Sequence, residues 1–305
     1  MDIFKQLQHI LEGYNTKSVQ ISIDHLPELA SEIKSWYDSG HLNEDLYNKY
    51  ILNYFDFSVT IKYPLIQSLI LIATPSLPVN VKFSFNNSDL DLMIPPTYTD
   101  KALVMDRIKK ITVNLFDENG YHTYPVILPK KLIAGHCGLA KFGKNNIAYI
   151  PGMGSYHRLT LFGTDLPYTD CCWNSLQVLE RCNGCKACQN SCPTNAITGV
   201  DFLIKAERCL TYFNEQIDPF PAWIENGWHN SLIGCTQCQN ICPENKNSGE
   251  NKDFQTEFTE DETCLMLQNK SFDGLPSKLQ SKLNHLCLDH YYPQICRNLK
   301  VLLQS

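Results

Sequence analysis

The sequence lacks any long hydrophobic run. Its longest aliphatic stretch, Leu69–Ala73, has five residues, whereas a helix that crosses a membrane needs about 20. The first ten residues, MDIFKQLQHI, contain no apolar segment of the length that secretory signal peptides use. We therefore expect a cytoplasmic protein that makes no use of a membrane.

An excess of positive charge is also missing. The chain has 26 Lys and Arg against 32 Asp and Glu, a net charge of −6, so no global basic field attracts nucleic acid and any anion-binding surface must be local. One stretch, 130–164, has no acidic residue and combines six glycines with five basic side chains: Lys130, Lys131, Lys141, Lys144 and Arg158. Either a bulky anionic ligand or an ordinary solvated basic loop is compatible with this stretch.

Cysteine, in contrast, is abundant, with 14 residues. In a reducing compartment, clustered thiols are more often metal ligands than disulfides. The segment RCNGCKACQNSCPTNAI has the spacing C-x2-C-x2-C-x3-C-P of bacterial two-cluster ferredoxins, in which the first three cysteines bind one iron–sulfur cluster and the fourth binds another. This one motif predicts two clusters.

A second motif, GCTQCQNICPEN, supplies three more cysteines, and Cys209 between the motifs is the candidate for an eighth ligand. The topology predicts two [4Fe-4S] clusters, one held by Cys182, Cys185, Cys188 and Cys242 and the other by Cys192, Cys209, Cys235 and Cys238. Zinc sites explain neither the triple spacing nor the prolines that follow Cys192 and Cys242. The six other cysteines are interpreted as buried or incidental thiols.

The remaining sequence predicts a mixed α/β architecture. Residues Gln67–Ala73 are typical of a strand buried on both faces, and apolar residues at 104, 108, 111 and 115 predict a helix that ends at Asn119-Gly120. We expect an α/β domain at 1–170, a ferredoxin-like double-cluster domain at 171–250 and a short helical tail at 251–305.

Four segments carry a resemblance to a known family. CGLAKFGKNNIAYIPGMGSY at 137–156, AERCLTYF at 206–213 and the two cysteine motifs resemble the corresponding stretches of the epoxyqueuosine reductases, in order along the chain. Those enzymes use cobalamin and two [4Fe-4S] clusters to reduce an epoxide in the last step of queuosine synthesis on tRNA. The resemblance implies that 1–170 is a cobalamin-binding type of α/β domain.

The resemblance also implies particular site residues. Ala148 and Leu159 fall at cobalamin-contact positions, and Thr211, Thr236 and Gln237 fall at similar positions beside the second cluster. A cluster loop that touches the corrin would shorten the electron path to cobalt, while the cofactor supplies the difficult chemistry.

Other positions depart from the family pattern. Where the reductases have an aspartate before (Thr/Ser)-(Gly/Ala)-Pro, this chain has His122-Thr123-Tyr124-Pro125, so His122 is the candidate general acid. The alternative is a loop histidine without a catalytic role. The family's Asp-Tyr-His is Thr97-Tyr98-Thr99 here, and no counterpart of the C-terminal helical repeats is expected.

These observations predict an enzyme, an iron–sulfur oxidoreductase that converts epoxyqueuosine to queuosine in tRNA. The alternatives are a related reductase of a different small molecule and a ferredoxin-like electron-transfer protein. The expected partners are tRNA and an external electron donor of the ferredoxin or flavodoxin type, and we expect a monomer.

Overall fold

The computed structural model describes residues 2–99, 103–168, 173–246, 254–268 and 270–304. The expected domain limits at 170/171 and 250/251 lie outside the described residues. Within those residues, no helix is both long enough and apolar enough to cross a membrane.

The chain combines helices and strands throughout. The described helices are α1 (Ile3–Leu11), α2 (Leu26–Asp38), α3 (Glu44–Tyr47), α4 (Val59–Lys62), α5 (Leu103–Glu118), α6 (Lys130–His136), α7 (Ala187–Ser191), α8 (Leu210–Glu215), α9 (Gln237–Asn240), α10 (Glu260–Leu267), α11 (Ser277–His285) and α12 (Tyr292–Leu302). The described strands are β1 (Lys17–Ser22), β2 (Ser68–Pro75), β3 (Val79–Phe85), β4 (Ser88–Ile94), β5 (Thr123–Pro125), β6 (Lys141–Phe142), β7 (Ala148–Tyr149), β8 (His157–Thr164) and β9 (Phe254–Phe258).

The main sheet has the strand order β1-β2-β8-β5, and all of its neighbouring strands are antiparallel. The central strand β2 is buried along almost its whole length, which confirms the prediction of a strand covered on both faces. Ile70 and Ile72 face α1 and α5, while Leu69, Leu71 and Ala73 face α2 and α6. The two faces of this aliphatic run therefore belong to two different hydrophobic cores.

The predicted helix through residues 104–115 is confirmed as α5, which ends two residues before Gly120. Its buried Ile108 and Phe116 pack with Leu7 and Leu11 of α1 against the main sheet. The helix thus covers one face of β2, as its apolar periodicity indicates.

The C-terminal helices α10, α11 and α12 pack on a second, smaller sheet. This sheet has the order β4-β3-β9, in which β9 runs parallel to β3. The rings of Phe83 and Phe258 stack at 4.4 Å across that strand pair. The same core includes Tyr98, Leu232 and Ile233, so it reaches the loop that precedes the second cysteine motif.

A buried amide network joins α12 to that loop. The Asn298 side chain is fully buried, and its Nδ2 donates to the carbonyl oxygens of Asn214 at 3.0 Å and Leu232 at 2.9 Å. Asn214 Nδ2 in turn donates to the carbonyl of Gly234, the residue before Cys235. The position of Cys235 thus depends on contacts made by the C-terminal helix.

We predict that Asn298→Ala destabilises the protein by about 1–3 kcal/mol, because two buried carbonyl groups lose their donor. The measurement is urea unfolding followed by tryptophan fluorescence on the cluster-free protein. Asn284→Ala, at an exposed position of α11, is the control and should change the free energy of unfolding by less than about 0.5 kcal/mol. Equal stability of the two variants would contradict the role of the network.

Candidate functional site

Eight cysteines surround two separate cavities: the seven of the two motifs and Cys209. The first cavity is lined by Cys182, Cys185, Cys188 and Cys242. The second cavity is lined by Cys192, Cys209, Cys235 and Cys238. The structure therefore groups the thiols in the same two sets of four that the sequence spacing predicts for two clusters.

The backbone explains why the last thiol of each motif crosses to the other cavity. Cys192 and Cys242 follow the short helices α7 and α9 and have extended backbones, with φ/ψ of −76°/106° and −71°/124°. A residue before proline disfavours the helical conformation, and each of these cysteines precedes a proline. The chain therefore leaves the helical conformation by the cysteine and directs its thiol away from the other cysteines of its own motif.

Glycines let the motifs make their first turns. Gly184 and Gly234 have φ of +80° and +71°, the left-handed region that favours glycine. At Gly234 a Cβ atom would lie 2.6 Å from the Tyr98 ring, so this position also needs the absence of a side chain. The close approach places Tyr98 beside the second cavity.

The thiols of the second cavity lie in a desolvated environment. Burial raises the pKa of Cys235 to about 11, although Asn230 Nδ2 donates to its sulfur at 3.2 Å. Burial, together with the neighbouring thiolates, raises the pKa of Cys238 further. Iron must therefore displace protons from these thiols, and the thiolates gain their stability from the metal.

The second cavity continues into two neighbouring clefts. It has a volume of about 260 Å³ and shares Thr97, Lys131 and Asn146 with a larger apolar cleft of about 660 Å³, which is lined by Trp36, Phe55 and other apolar residues. It shares Ile204, Thr211 and Glu215 with a side cleft that is lined by residues of α3 and the turn after it. The cluster thiols thus open directly onto a space much larger than one cluster.

A tight turn at Gly143–Asn146 connects the N-terminal part of the chain to the second cavity. A Cβ atom at Gly143 would lie 2.4 Å from Asn145 Oδ1, and Asn146 has a φ of +62°. Asn145 Nδ2 donates to the Tyr149 hydroxyl at 2.9 Å and to the carbonyl of Cys238 at 3.4 Å. The glycine stretch is therefore bonded to the cysteine loop rather than exposed as a solvated arm.

Lys131 is a cation that lines both the second cavity and the larger cleft. Its Nζ donates to Asn146 Oδ1 at 3.0 Å and to the Asn146 carbonyl at 3.1 Å. Desolvation lowers the pKa of Lys131. An amine in this position can donate hydrogen bonds to a ligand that fills the cleft.

The positions expected to contact cobalamin have different locations. Thr211 and Gln237 line the second cavity. Thr236 is buried, and its hydroxyl donates to Asn230 Oδ1 at 3.1 Å, which fixes the cysteine loop. Ala148 and Leu159 lie in or against the core between the main sheet and α6, so their contact with the cofactor stays a prediction.

The structure does not bring His122 to this space. Its side chain is 67% exposed, and its Nδ1 lies 2.9 Å from Asp165 Oδ2, next to the Thr164 end of β8. The second cavity lies near the other end of β8. There Arg158 donates to the carbonyl of Pro96, whose neighbours Pro95 and Thr97 line the cavity. Six residues of strand, about 20 Å, separate these ends.

The second cavity contains one phenol, Tyr98, and one carboxyl, Glu215, that the sequence analysis did not predict as site residues. Tyr98 is only the middle residue of the segment that replaces the family's Asp-Tyr-His, and Glu215 has no signal in the sequence. The Tyr98 hydroxyl donates a short hydrogen bond to Glu215 Oε1, and both residues line the cavity beside the cysteines. Desolvation raises the pKa of Glu215, and the bond from Tyr98 offsets part of that rise. These residues are 117 positions apart, so no local motif could join them.

Comparisons with known proteins agree with this site. A family model of the 4Fe-4S double cluster binding domain matches residues 181–245. The epoxyqueuosine reductase of Pseudomonas aeruginosa is 36% identical over 84 residues, 27% of this chain and 22% of the relative. The sequence match thus spans about a fifth of that relative's length.

Solved structures resemble nearly the whole chain. Epoxyqueuosine reductase from Streptococcus thermophilus has a TM-score of 0.72 at 16% identity, covering 99% of this chain and 81% of that one. The Bacillus subtilis enzyme has a TM-score of 0.68 at 17% identity, covering 99% and 82%. An epoxyqueuosine reductase with an epoxyqueuosine-modified tRNA stem loop has a TM-score of 0.66 at 17% identity, covering 99% and 81%. The chain therefore has the mixed α/β fold of the epoxyqueuosine reductases, with a double-cluster domain.

We predict that Cys209→Ala and Cys242→Ala each remove one cluster, so that iron falls from about eight to about four per chain. The measurement is iron and acid-labile sulfide on anaerobically reconstituted protein. Cys264→Ser, on α10 and outside both cavities, is the control and should keep its iron. Full iron content in Cys209→Ala would show that the eighth ligand lies elsewhere.

Proposed function

We propose that this protein is an oxidoreductase that reduces epoxyqueuosine to queuosine in tRNA. The observation that carries the proposal is the continuity of the second cavity, with its four thiols, and a large cleft that can hold a cofactor and a substrate. The fold of the epoxyqueuosine reductases supports it, and so does the sequence match to one of them.

The residues fit two [4Fe-4S] clusters and cobalamin. Each cavity offers four thiols, the donor set that such clusters use. The clefts offer apolar walls from Trp36, Phe55 and Ile147, which suit the faces of a corrin, and Lys131 and Asn146 are donors for its amide periphery. When bound, these groups supply single electrons and a low-valent cobalt that reduces the electrophilic substrate.

The reaction defines what the chain itself must do. Reduction of an epoxide to an alkene consumes two electrons and two protons, breaks two C–O bonds and releases water. The protein must therefore admit the modified nucleoside to the cleft, shield it from bulk water and provide protons. The apolar walls of the larger cleft exclude water, and Lys131 is available to orient polar groups of the ligand.

Electrons enter most directly through the first cavity. The residues between its cysteines, Asn183, Gly184 and Lys186, are exposed, and Ile241 beside Cys242 is 48% exposed. Arg181 and Lys141 at this face pair with Glu244 and Glu180. The face also carries Lys144, which lines the first cavity, and the exposed Lys186 between two of the cysteines. These two amines suit an acidic one-electron carrier of the flavodoxin or ferredoxin type.

We predict that the reconstituted protein retains about one cobalamin per chain after desalting and converts epoxyqueuosine to queuosine in tRNA. The measurement is cobalt content, together with mass spectrometry of nucleosides from tRNA of a strain that lacks the activity. Omission of cobalamin is the control. Full clusters and bound cobalamin without conversion would indicate a different substrate. Full clusters without cobalamin would favour an electron-transfer protein.

We also predict that Lys144→Ala combined with Lys186→Ala raises the KM for a flavodoxin donor about tenfold, because the attraction between the proteins weakens. Turnover driven by dithionite should not change, since a small reductant needs no docking surface. The control is Lys109→Ala with Lys110→Ala on α5, both exposed. An equal loss with both reductants would mean that the lysines support the cluster instead.

A further inference from the structure

Epoxide reduction requires a proton donor, and one carboxyl group in the described part of the chain lies inside the second cavity. Glu215 lines both this cavity and the side cleft. It is the last residue of α8, which begins directly after the ligand Cys209. The helix therefore holds the carboxyl at a fixed distance from the second cluster.

Among the described residues, the Glu215 carboxyl has one side-chain hydrogen-bond donor and no counter-ion. The Tyr98 hydroxyl donates to Glu215 Oε1. Within the described residues no lysine, arginine or histidine forms an ion pair with Glu215. Glu215 is partly buried, and a desolvated carboxylate without a cation is unfavourable, so this environment favours the protonated acid.

Besides its bond to Glu215, Tyr98 is held in place by contacts on two sides. Its side chain is 4% exposed, its ring lies against Gly234, and it meets the ring of Tyr291 edge-on at 5.4 Å. Gln294 Nε2 donates to the backbone carbonyl of Glu215 at 3.3 Å. The pair is therefore oriented by the C-terminal helices on one side and by the cysteine loop on the other.

We propose that Glu215 is the proton donor of the reduction and that Tyr98 is the residue that positions it. This proposal rests on the proposed function. As the first C–O bond of the epoxide breaks, the ring oxygen takes the proton of the Glu215 carboxyl, and the electrons come from the low-potential carrier through the clusters. The carboxylate then regains a proton from solvent through the side cleft and protonates the same oxygen again as the second C–O bond breaks. Two electrons and two protons thus yield the alkene and one water.

The charges around the carboxyl are consistent with this role. The titratable groups that share its cavities or face it are Tyr98, Tyr291, Lys131, His41, Tyr47, Tyr50, Tyr212 and the cluster thiols. Desolvation raises the pKa of Glu215 above its ordinary value, and removal of the Tyr98 hydroxyl would raise it more, since that bond stabilises the carboxylate. Activity that needs the acid form is present below this pKa and falls as the pH rises through it.

The test compares Glu215→Gln, Glu215→Asp and Tyr98→Phe with the wild type. Glutamine keeps an oxygen that accepts from Tyr98 but has no acidic proton, so we expect kcat to fall by about 100-fold or more. Iron content and affinity for the modified tRNA should stay within about twofold of the wild type. Glu215→Asp should recover part of kcat, and Glu225→Gln, at an exposed position, should resemble the wild type.

Tyr98→Phe gives a result that a merely structural role would not produce. We expect the alkaline limb of its pH–kcat profile to move to higher pH. Infrared difference spectra between high and low pH should contain a carboxyl band that is absent from Glu215→Gln. In Tyr98→Phe, the pH at which this band titrates should rise by the same amount as the alkaline limb. Wild-type turnover with undiminished kcat in Glu215→Gln would overturn this proposal alone. Absence of turnover in the wild type would instead overturn the proposed function, while the carboxyl band would still report the pKa of Glu215.

Discussion

The exchange of one thiol between two cysteine motifs is the constraint on which the site depends. Cys192 and Cys242 each lie before a proline, and the extended backbone there sends each thiol to the cavity of the other motif. Neither cavity is complete from its own motif alone. Bound clusters would therefore hold the two motifs together, in addition to the direct contact between α7 and α9.

This locked domain would be a simple electron carrier without the clefts beside it. The antiparallel pair β6–β7 supplies the other wall through its turn at Gly143–Asn146, whose side chains bond to the carbonyl of Cys238 and to the Phe202 carbonyl. The small sheet and C-terminal helices supply Tyr98 and the support for Glu215. Three parts of the chain thus meet at one desolvated space, where charges act on one another more strongly than in water.

The sequence alone determined the parts whose signals are local. The aliphatic run of β2, the periodicity of α5 and the spacing of the cysteines each report a structure within a few residues. The grouping of thiols followed from Cys-Pro steps in the same way. The pairing of Tyr98 with Glu215 and the parallel pairing of β3 with β9 join residues far apart in the chain, and such contacts leave no periodic pattern. His122 illustrates the same limit, since a short motif does not reveal at which end of a strand it lies.

The amide chain from Asn298 through Asn214 to Gly234 has a thermodynamic consequence. These contacts hold the cysteine loop in the geometry that a cluster needs, and they therefore favour cluster binding. By thermodynamic linkage, cluster binding must stabilise the same contacts. A cluster in the second cavity would then stabilise α12 and the small sheet. Loss of that cluster would destabilise first the elements that support Tyr98. The state of the cluster is thereby communicated to α12, none of whose residues lines either cavity.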